Sequence, residues 1–570
     1  MFTLKVKSRD YEDYEWSYDT SSITELPANL HIFKPLDLKL FHNDTIDLTG
    51  KVINSPYRKK EDICGVLIVD GKTYGRFKDK LLYKCIPDAL HLPTFLVPYE
   101  EKTNKFSKLK INKYITFQLK EWANKYPISI ITNTLGDVDN IEAYTNYQLI
   151  CNALNFSVKN LNTATIRALS ENPMTNIPMV YDGDKNIIED RRLRPIISID
   201  PEGCLDIDDA IGLYKTGDGQ TVLSIYISNV PLMIDYLNLW SDLSDRISTI
   251  YLNDKKIQML PSSLSDNRFS LKEGEDRLAF VIDVHIDRPD VDYTLHTCLI
   301  RVEKNYAYEA GELLSRYDYQ EMLKVVKHLN KRLRYVERVN DSHELIEFCM
   351  ILMNHECSKE LLKKQRGIFR SATRKEIVGN TTDNNLGDHE DERFNIDKLS
   401  ADFKHILQNV SGEYCAVDAV KPHELIGDGL ESYVHITSPI RRLVDCINML
   451  ELQRGTFINS LTANEFLAKW LNKIPYINEQ NKAIRRLQNQ VELLHIYTQN
   501  SSQIYSGIVF ARTECSLNSL FKYKVYIQSI KLLTSVYSVK KVDNYSMMNF
   551  TVHWFLDEMK MNKKIRLQML

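Results

Sequence analysis

The sequence predicts a multidomain α+β protein in which a mixed α/β domain is flanked by small β-barrels. Length is the first observation, because 570 residues usually fold as roughly three to four domains. The second is that short segments of alternating apolar and polar residues, divided by turn residues, occupy both ends of the chain. The third is that longer helical patterns are concentrated in the middle of the chain, between strand-like segments.

The N-terminal part of the chain predicts an extension followed by a first barrel. Residues 1–45 have weak periodicity and predict only an N-terminal extension. Residues 46–97 contain strand-like segments at 65–69 and 73–77, with a turn predicted at Asp70-Gly71 between them. This spacing is typical of a small cold-shock-like antiparallel barrel.

Residues 98–186 predict a second barrel of the same type, followed by a linker. Strands are expected at 114–119 and 128–131. At the other end of the chain, residues 501–570 predict a C-terminal barrel. Its strand-like segments are 506–510, 523–527 and 564–567.

The central region, residues 187–500, predicts the mixed α/β domain. Residues 221–227 and 278–284 are apolar runs expected to form buried strands. Residues 344–364 and 478–498 are expected to form helices. In the second of these, apolar residues repeat at a 3-4-3 spacing: Ile484, Leu487, Val491 and Leu494. A segment rich in Asn and Asp, residues 381–392, predicts a surface loop.

Bulk composition is that of an ordinary globular protein. Apolar residues make up 43% and charged residues 26% of the chain. No apolar run approaches the roughly 20 residues that span a bilayer, so we expect no membrane association. The N-terminus lacks the apolar core of a signal peptide, and the ten cysteines form no Cys-x-x-Cys pair. These features favour reduced thiols and an intracellular, cytoplasmic location.

Local charge, rather than the net charge of −3, bears on nucleic-acid binding. Residues 102–125 contain seven lysines and a single acid, Glu121. A second basic stretch runs from Lys359 to Lys375. Such runs are often solvated faces, and next to a site for phosphate chemistry they can also guide an RNA backbone.

Four carboxylates crowd one short turn directly after an apolar run. They are Asp200, Asp206, Asp208 and Asp209, within the sequence Asp-Pro-Glu-Gly-Cys-Leu-Asp-Ile-Asp-Asp. Like charges held this close repel unless a hard cation such as Mg²⁺, Mn²⁺ or Ca²⁺ neutralises them. The alternatives are a solvated acidic loop and a lone Ca²⁺ site.

A second motif, at residues 433–445, joins a Ser-Pro break to the pair Arg441-Arg442. Arginine beside a metal–carboxylate centre is a common phosphate ligand, because its planar fork pairs with two phosphate oxygens. The alternative for Arg441 is a structural ion pair with Asp445. Ser438-Pro439 is expected to set the turn that aims Arg441.

Together the two motifs resemble the ribonuclease II family, the RNB-domain 3′-to-5′ exoribonucleases. That family has Asp-Pro-x4-Asp-Ile-Asp-Asp-Ala followed downstream by Thr-Ser-Pro-Ile-Arg-Arg, and both stand here in that order. The resemblance covers residues 46–570 and implies the order barrel, barrel, catalytic domain, barrel. The Asp-Pro-x-Gly-Cys variant is closer to the exosome-associated branch, although we expect the N-terminal endonuclease domain of that branch to be missing.

The resemblance implies a role for each motif residue. The four acids (Asp200, Asp206, Asp208 and Asp209) would hold Mg²⁺, with Mn²⁺ as the alternative, and Arg441 would stabilise charge on the phosphate.

The resemblance also implies RNA contacts at Tyr251, Tyr308, Glu347 and Arg370. The two tyrosines would stack on bases, Glu347 would contact the terminal sugar and Arg370 a phosphate. Three of the four have a structural alternative: core positions for the two tyrosines and a solvated helix acid for Glu347.

Several positions depart from the family pattern. Tyr226 and Asn229 replace residues of its usual His-Ile-Ala-Asp-Val segment. Leu443 replaces the Tyr after the arginine pair, and Met449 replaces the His that commonly follows. None of these changes removes a motif acid or Arg441.

Our leading hypothesis is a hydrolytic, metal-dependent 3′-to-5′ exoribonuclease that degrades single-stranded RNA to nucleoside 5′-monophosphates. We expect association with an RNA-decay complex and favour a monomer. The alternative is a degenerate family member that binds RNA or a complex without cutting. A Ca²⁺-dependent structural protein would explain the acidic turn and neither the arginine motif nor the barrels.

Overall fold

The computed structural model describes most of the chain, in nine ranges: 1–18, 34–100, 110–171, 180–181, 186–287, 292–373, 412–499, 504–515 and 520–570. The predicted loop at 381–392 and part of each basic stretch (Lys102, Lys105, Lys108, Arg374 and Lys375) lie outside the described residues. The chain divides into two compact units. One combines Met1–Asn155 with Arg486–Leu570, and the other is Phe156–Arg485. No helix in the described ranges is long and apolar enough to cross a membrane.

The first unit begins with a four-stranded antiparallel sheet in a region where the sequence predicted only an extension. Its strands are β1 (Phe2–Val6), β2 (Tyr14–Tyr18), β3 (Thr45–Ile46) and β4 (Val52–Asn54), in the order β2-β1-β3-β4. Phe2, Leu4 and Val6 are buried, because alternate side chains of β1 point to the same face.

The next five strands close one barrel. They are β5 (Ile63–Phe77), β6 (Lys80–Pro87), β7 (Phe95–Tyr99), β8 (Lys113–Glu121) and β9 (Ile128–Asp137), in the order β5-β6-β7-β9-β8. The sequence instead predicted one barrel on each side of residue 97. Closure pairs strands far apart in the chain, such as Ile63 with Phe117, which local alternation does not reveal. Strand β5 also continues through Asp70-Gly71 with a shift of register, where a turn was predicted.

A helix follows the barrel within the first unit. This is α1 (Ile141–Cys151), whose first turn is capped by the Asn140 side chain accepting from the Ala143 amide.

The second unit contains most of the helices. Its elements are α2 (Lys159–Glu171), β10 (Val180–Tyr181), β11 (Asn186–Ile187), β12 (Glu189–Asp190), β13 (Ile197–Asp200), β14 (Asp209–Lys215), β15 (Thr221–Ser228), α3 (Val230–Tyr236), β16 (Ile250–Tyr251), β17 (Lys256–Ile257), β18 (Asp276–His285), β19 (Asp292–Arg301), β20 (Lys304–Ala307), α4 (Gly311–Ser315), α5 (Tyr317–Leu333), α6 (Ser342–Lys363), β21 (Ile368–Ser371), β22 (Glu413–Ala416), α7 (Leu443–Gln453) and α8 (Leu461–Leu471). Helix α9 (Ile474–Gln499) begins here and continues into the last segment of the first unit.

A seven-stranded mixed sheet forms the centre of the second unit, in the order β12-β19-β18-β15-β14-β13-β20. Both of its faces are buried. Leu223 and Ile225 of β15 share a core with residues of α5 and α6, whereas Tyr226 packs in a second core on the opposite face. Burial on both sides explains why the central strands are nearly continuous apolar runs in the sequence.

The first unit is completed by a five-stranded antiparallel sheet from the end of the chain. Its elements are β23 (Ile504–Cys515), β24 (Leu520–Ile527), β25 (Leu532–Ser538), β26 (Met547–Trp554), α10 (Met561–Lys564) and β27 (Ile565–Met569), in the strand order β25-β24-β23-β26-β27. The predicted fold class is confirmed: several small β-structures accompany a mixed α/β domain. The predicted domain boundaries stay predictions.

Candidate active site

The acidic turn connects two neighbouring strands of the central sheet. Strand β13 ends at Asp200 and β14 begins at Asp209, and the two strands run antiparallel. The intervening loop turns at Gly203, whose φ of 77° lies in the left-handed region that favours glycine. The acids at the start and end of the turn therefore lie on adjacent strands.

All four motif acids line one cavity of about 690 Å³ in the second unit. Arg441, Tyr251, Tyr308 and Glu347 line it as well. Part of the remaining lining is apolar and comes from Ile346, Met350, Ile351 and Ile426. Eight of the nine predicted site residues are thus brought together, and the cavity combines anionic, cationic, aromatic and apolar walls.

Arg441 is held against Asp208. Its Nε lies 3.1 Å from Asp208 Oδ2, and its Nη2 donates to Ser438 Oγ at 2.9 Å. The amide of Ile440 donates to the other oxygen of Asp208 at 2.9 Å. Burial raises the pKa of Asp208 to about 7, although the charge of Arg441 favours its ionised form. Asp445, the alternative partner considered for Arg441, instead pairs with Arg442 at 2.9 Å.

Asp206 is occupied by two donors from the short β16–β17 hairpin. Tyr251 Oη donates to Oδ2 at 2.6 Å, and Lys256 Nζ lies 2.7 Å from Oδ1. Lys256 was missed by sequence reasoning. Its position in the sequence could have indicated the contact. Tyr251 and Lys256 flank an Asn-Asp turn, and they face each other across the hairpin.

Asp200 and Asp209 are the acids most suited to receive a cation. Within the described residues, Asp200 Oδ2 is buried and has no hydrogen-bond partner. Burial, together with the charge of Asp206, raises the pKa of Asp200 to about 6. Burial and the charges of Asp200 and Asp208 raise the pKa of Asp209 well above its usual range. A divalent cation would relieve this repulsion, and carboxylate oxygens are the ligands that Mg²⁺ and Mn²⁺ prefer.

The acids do not form a ready-made coordination shell. Among the described residues, no three His, Cys, Asp or Glu side chains are grouped closely enough to hold a metal ion. The donor chemistry therefore fits a hard cation, and the side chains would have to close around it.

Tyr308 is already stacked on another ring. Its ring lies parallel to that of His343, with centroids 3.8 Å apart and an angle of 7° between the planes. Burial raises the pKa of Tyr308 to about 12. His343 therefore covers one face of the ring that was predicted to stack on a base. His343 and Glu347 are one turn apart on α6, which is the signal that could have linked His343 to the site.

Glu347 and Asn354 lie seven residues apart on one face of α6, and both line the cavity. Glu347 is exposed, whereas Asn354 is 3% exposed. Asn354 donates from Nδ2 to Tyr433 Oη at 3.0 Å and accepts from the Ile436 amide at 2.8 Å. The helix thereby fixes the loop that leads into the arginine motif.

Arg370 lies outside the lining of this cavity. Its guanidinium sits over the ring of Tyr414, 5.1 Å from the centroid. Burial lowers the pKa of Arg370, and the charges of Arg485 and Arg442 act in the same direction. The phosphate contact predicted for Arg370 stays a prediction.

Two histidines, which sequence reasoning missed, complete the cavity wall. His423 is 8% exposed and its Nδ1 has no hydrogen-bond partner within the described residues. Burial lowers the pKa of His423 to about 4. Burial, with the charges of Arg442 and Arg370, lowers the pKa of His435 well below its usual range. Both imidazoles are therefore neutral at neutral pH.

The positions that depart from the motif pattern are structural. Asn229 begins α3, accepting from the Leu232 amide, and its Nδ2 donates to Gln453 Oε1 at 2.9 Å. Tyr226, Leu443 and Met449 are all buried. None of the four lines the cavity.

Residues 188–457 match the family model of the RNB domain. This match spans 270 of the 570 residues, just under half of the chain. The chain is 26% identical over 280 residues to the exosome complex exonuclease RRP44 of Homo sapiens, covering 49% of this chain and 26% of the relative. It is 26% identical over 331 residues to ribonuclease R of Buchnera aphidicola, covering 46% and 44%. The alignments thus span less than half the length of either relative.

Solved structures share the fold of this chain. The apo form of Mycoplasma genitalium RNase R matches with a TM-score of 0.64 at 15% identity, covering 94% of this chain and 95% of that one. Yeast Ssd1, described as a pseudonuclease, matches with a TM-score of 0.57 at 14% identity, covering 91% and 70%. At this identity the likeness establishes the fold alone.

Proposed function

We propose that this protein is a metal-dependent 3′-to-5′ exoribonuclease that hydrolyses single-stranded RNA and releases nucleoside 5′-monophosphates. The observation that carries the proposal is the cavity in which four aspartates face Arg441 and the rings of Tyr251 and Tyr308. Phosphodiester hydrolysis needs an activated water and stabilisation of charge on the phosphate, and this set of side chains can support both.

The acids and Arg441 would divide the work at the phosphate. Asp200 and Asp209 would hold Mg²⁺, or Mn²⁺, with Asp208 near them. The bound ion would supply positive charge and lower the pKa of a water molecule. Arg441, fixed by Asp208 and Ser438, would donate to the phosphate oxygens as their charge increases.

The rest of the cavity would hold the 3′-terminal nucleotide. The ring of Tyr251, 40% exposed, and the apolar side chains of Ile346 and Met350 suit a base without selecting its identity. The exposed carboxylate of Glu347 offers hydrogen-bond acceptors for ribose hydroxyls, the feature that distinguishes RNA from DNA.

The reaction would be a simple hydrolysis. Water adds to the last phosphate and the bond from phosphorus to the upstream O3′ breaks. The upstream O3′ takes up a proton, and the terminal nucleotide leaves with its 5′-phosphate.

The names and structures of similar proteins support RNA and an RNA-decay complex as the partners of this chain. Structures of Mycoplasma genitalium RNase R contain single-stranded and double-stranded RNA, and human RRP44 is named as part of the exosome complex. We extend this to single-stranded RNA as the substrate here and to association of a monomeric chain with an RNA-decay complex in the cytoplasm.

Incubation with 5′-labelled single-stranded RNA, with Mg²⁺ or with EDTA, tests the proposal on a denaturing gel. We expect metal-dependent shortening from the 3′ end down to a stub of a few nucleotides. RNA cut internally, or shortened equally in EDTA, would contradict it.

A second candidate function is RNA binding without cleavage. The likeness to yeast Ssd1, a pseudonuclease, and the departures from the motif favour it. RNA that shifts on a native gel and stays intact in Mg²⁺ and Mn²⁺ would support this candidate. The retained acids and Arg441 in one cavity support the nuclease instead.

A further inference from the structure

Asp206 differs from Asp200 in having both carboxylate oxygens occupied. The Lys256 ammonium lies 2.7 Å from Oδ1 and the Tyr251 hydroxyl 2.6 Å from Oδ2. Asp206 is 7% exposed, so its main polar partners are these two groups rather than water.

The ammonium of Lys256 is fixed from two sides. It lies 3.1 Å from Asp266 Oδ1 as well as 2.7 Å from Asp206. Asp266 is held in turn by Gln258, whose Nε2 donates to Oδ2 at 2.6 Å. The side chain of Lys256 is 26% exposed, so its position is set mainly by its protein contacts.

The four acids therefore fall into two classes. Asp206 is paired with Lys256, and Asp208 is paired with Arg441. Asp200 keeps a buried oxygen without a donor in the described residues, and Asp209 faces the charges of two other acids. The first class has a cationic side chain within ion-pair distance, and the second class is the one open to an added cation.

We propose that Lys256 is a built-in cation of the active site, which neutralises Asp206 in place of a second divalent ion and holds Tyr251 in position through Asp206. This rests on the proposed function for the meaning of the site. The chain accordingly binds one divalent ion, at Asp200 and Asp209, and Lys256 is a positioning residue.

Counting Mn²⁺ ions tests this directly. Free Mn²⁺ is titrated by electron paramagnetic resonance against the full chain in the absence of RNA. We expect about one bound ion for the wild type and for Lys256→Arg, and about two for Lys256→Met, because Asp206 then has an unneutralised charge. Lys255→Met, the same change at the neighbouring position of the hairpin, is the matched control and should bind one ion.

A wild type that binds two ions or none, or a folded Lys256→Met variant that still binds one, would overturn the inference. Asp206→Asn gives a second test that does not depend on Lys256→Met folding. We expect it to leave the Mn²⁺ affinity nearly unchanged, whereas Asp209→Asn lowers it at least about tenfold. An equal loss in both variants would make Asp206 a direct ligand and refute the role of Lys256.

The RNA assay separates this inference from the proposed function. One bound Mn²⁺ with the expected response to Lys256→Met, but no degradation of RNA, would leave the role of Lys256 standing and reject the nuclease. Degradation of RNA by a wild type that binds two ions would support the nuclease and reject the role of Lys256.

Discussion

At the scale of single residues, the four aspartates of the acidic turn have different environments although their sequence positions look equivalent. Asp206 and Asp208 are paired with cationic side chains, and Asp200 has a buried oxygen without a donor in the described part of the chain. Because a carboxylate can bind an ion only with oxygens that are free to reach it, the consequences of substitution should differ among them.

Asp209→Asn should abolish RNA cleavage, lowering kcat at least about a hundredfold, and leave RNA affinity within a small factor. The reason is that the change removes a charge from the ion site and no contact to a base. Single-turnover cleavage and RNA binding by fluorescence anisotropy measure the two quantities. Asp254→Asn, an exposed acid of the β16–β17 hairpin, is the control. Parallel loss of binding and cleavage would contradict the role assigned to Asp209.

Arg441→Ala should lower kcat by roughly a hundredfold to a thousandfold while RNA affinity changes much less. The guanidinium is fixed by Asp208 and Ser438, so it is in place before charge increases on the phosphate. Steady-state kinetics give kcat and KM separately. A variant that bound RNA weakly and turned over normally would show that Arg441 serves binding instead.

At the scale of elements, the sequence identified the site better than the contacts within it. The two motifs, each of which is local in the chain, predicted five residues that line the cavity. The family resemblance added three more: Tyr251, Tyr308 and Glu347. Lys256, His343 and His423 were missed because their roles come from segments far apart in the chain. The single barrel of β5 to β9 was divided in two for the same reason, as closure pairs distant strands.

Helix α6 depends on a cap at its first turn. The Asp341 carboxylate accepts from the Glu344 amide at 2.8 Å, and the same helix carries Glu347 and Asn354 to the cavity. Asp341→Ala should lower the free energy of unfolding of the second unit by about 1 kcal/mol, whereas Asp341→Asn, which can still cap, should lower it much less. Urea unfolding followed by circular dichroism measures both. Equal stability of the two variants would argue that the cap contributes little.

At the scale of the whole molecule, the acids of the site should lower stability when no ion is bound. The folded-state pKa of Asp200 is about 6, above its usual value of 3.8, because of burial. The folded state therefore binds its proton more tightly than the unfolded state does, and the penalty is complete above pH 6 and disappears as the pH falls towards 4.

Asp200→Asn should accordingly raise the Tm in EDTA at pH 7.5, by roughly 2 °C, and the gain should vanish near pH 4. Differential scanning calorimetry of both proteins across this range measures the gap. Comparing the two proteins cancels the opposite contribution of buried histidines such as His423, whose pKa is lowered. A difference in Tm between the two proteins that increased as the pH fell would contradict a raised folded-state pKa for Asp200.

The first unit is assembled from the two ends of the chain, Met1–Asn155 and Arg486–Leu570. Leu494 packs with Tyr114 and Tyr144, and Lys564 Nζ donates to the Val138 carbonyl at 2.8 Å. During synthesis the residues of the second unit are therefore all available before this core can be completed. The core around Tyr114 and Tyr144 can therefore be completed only after the segment that contains Leu494 has been synthesised.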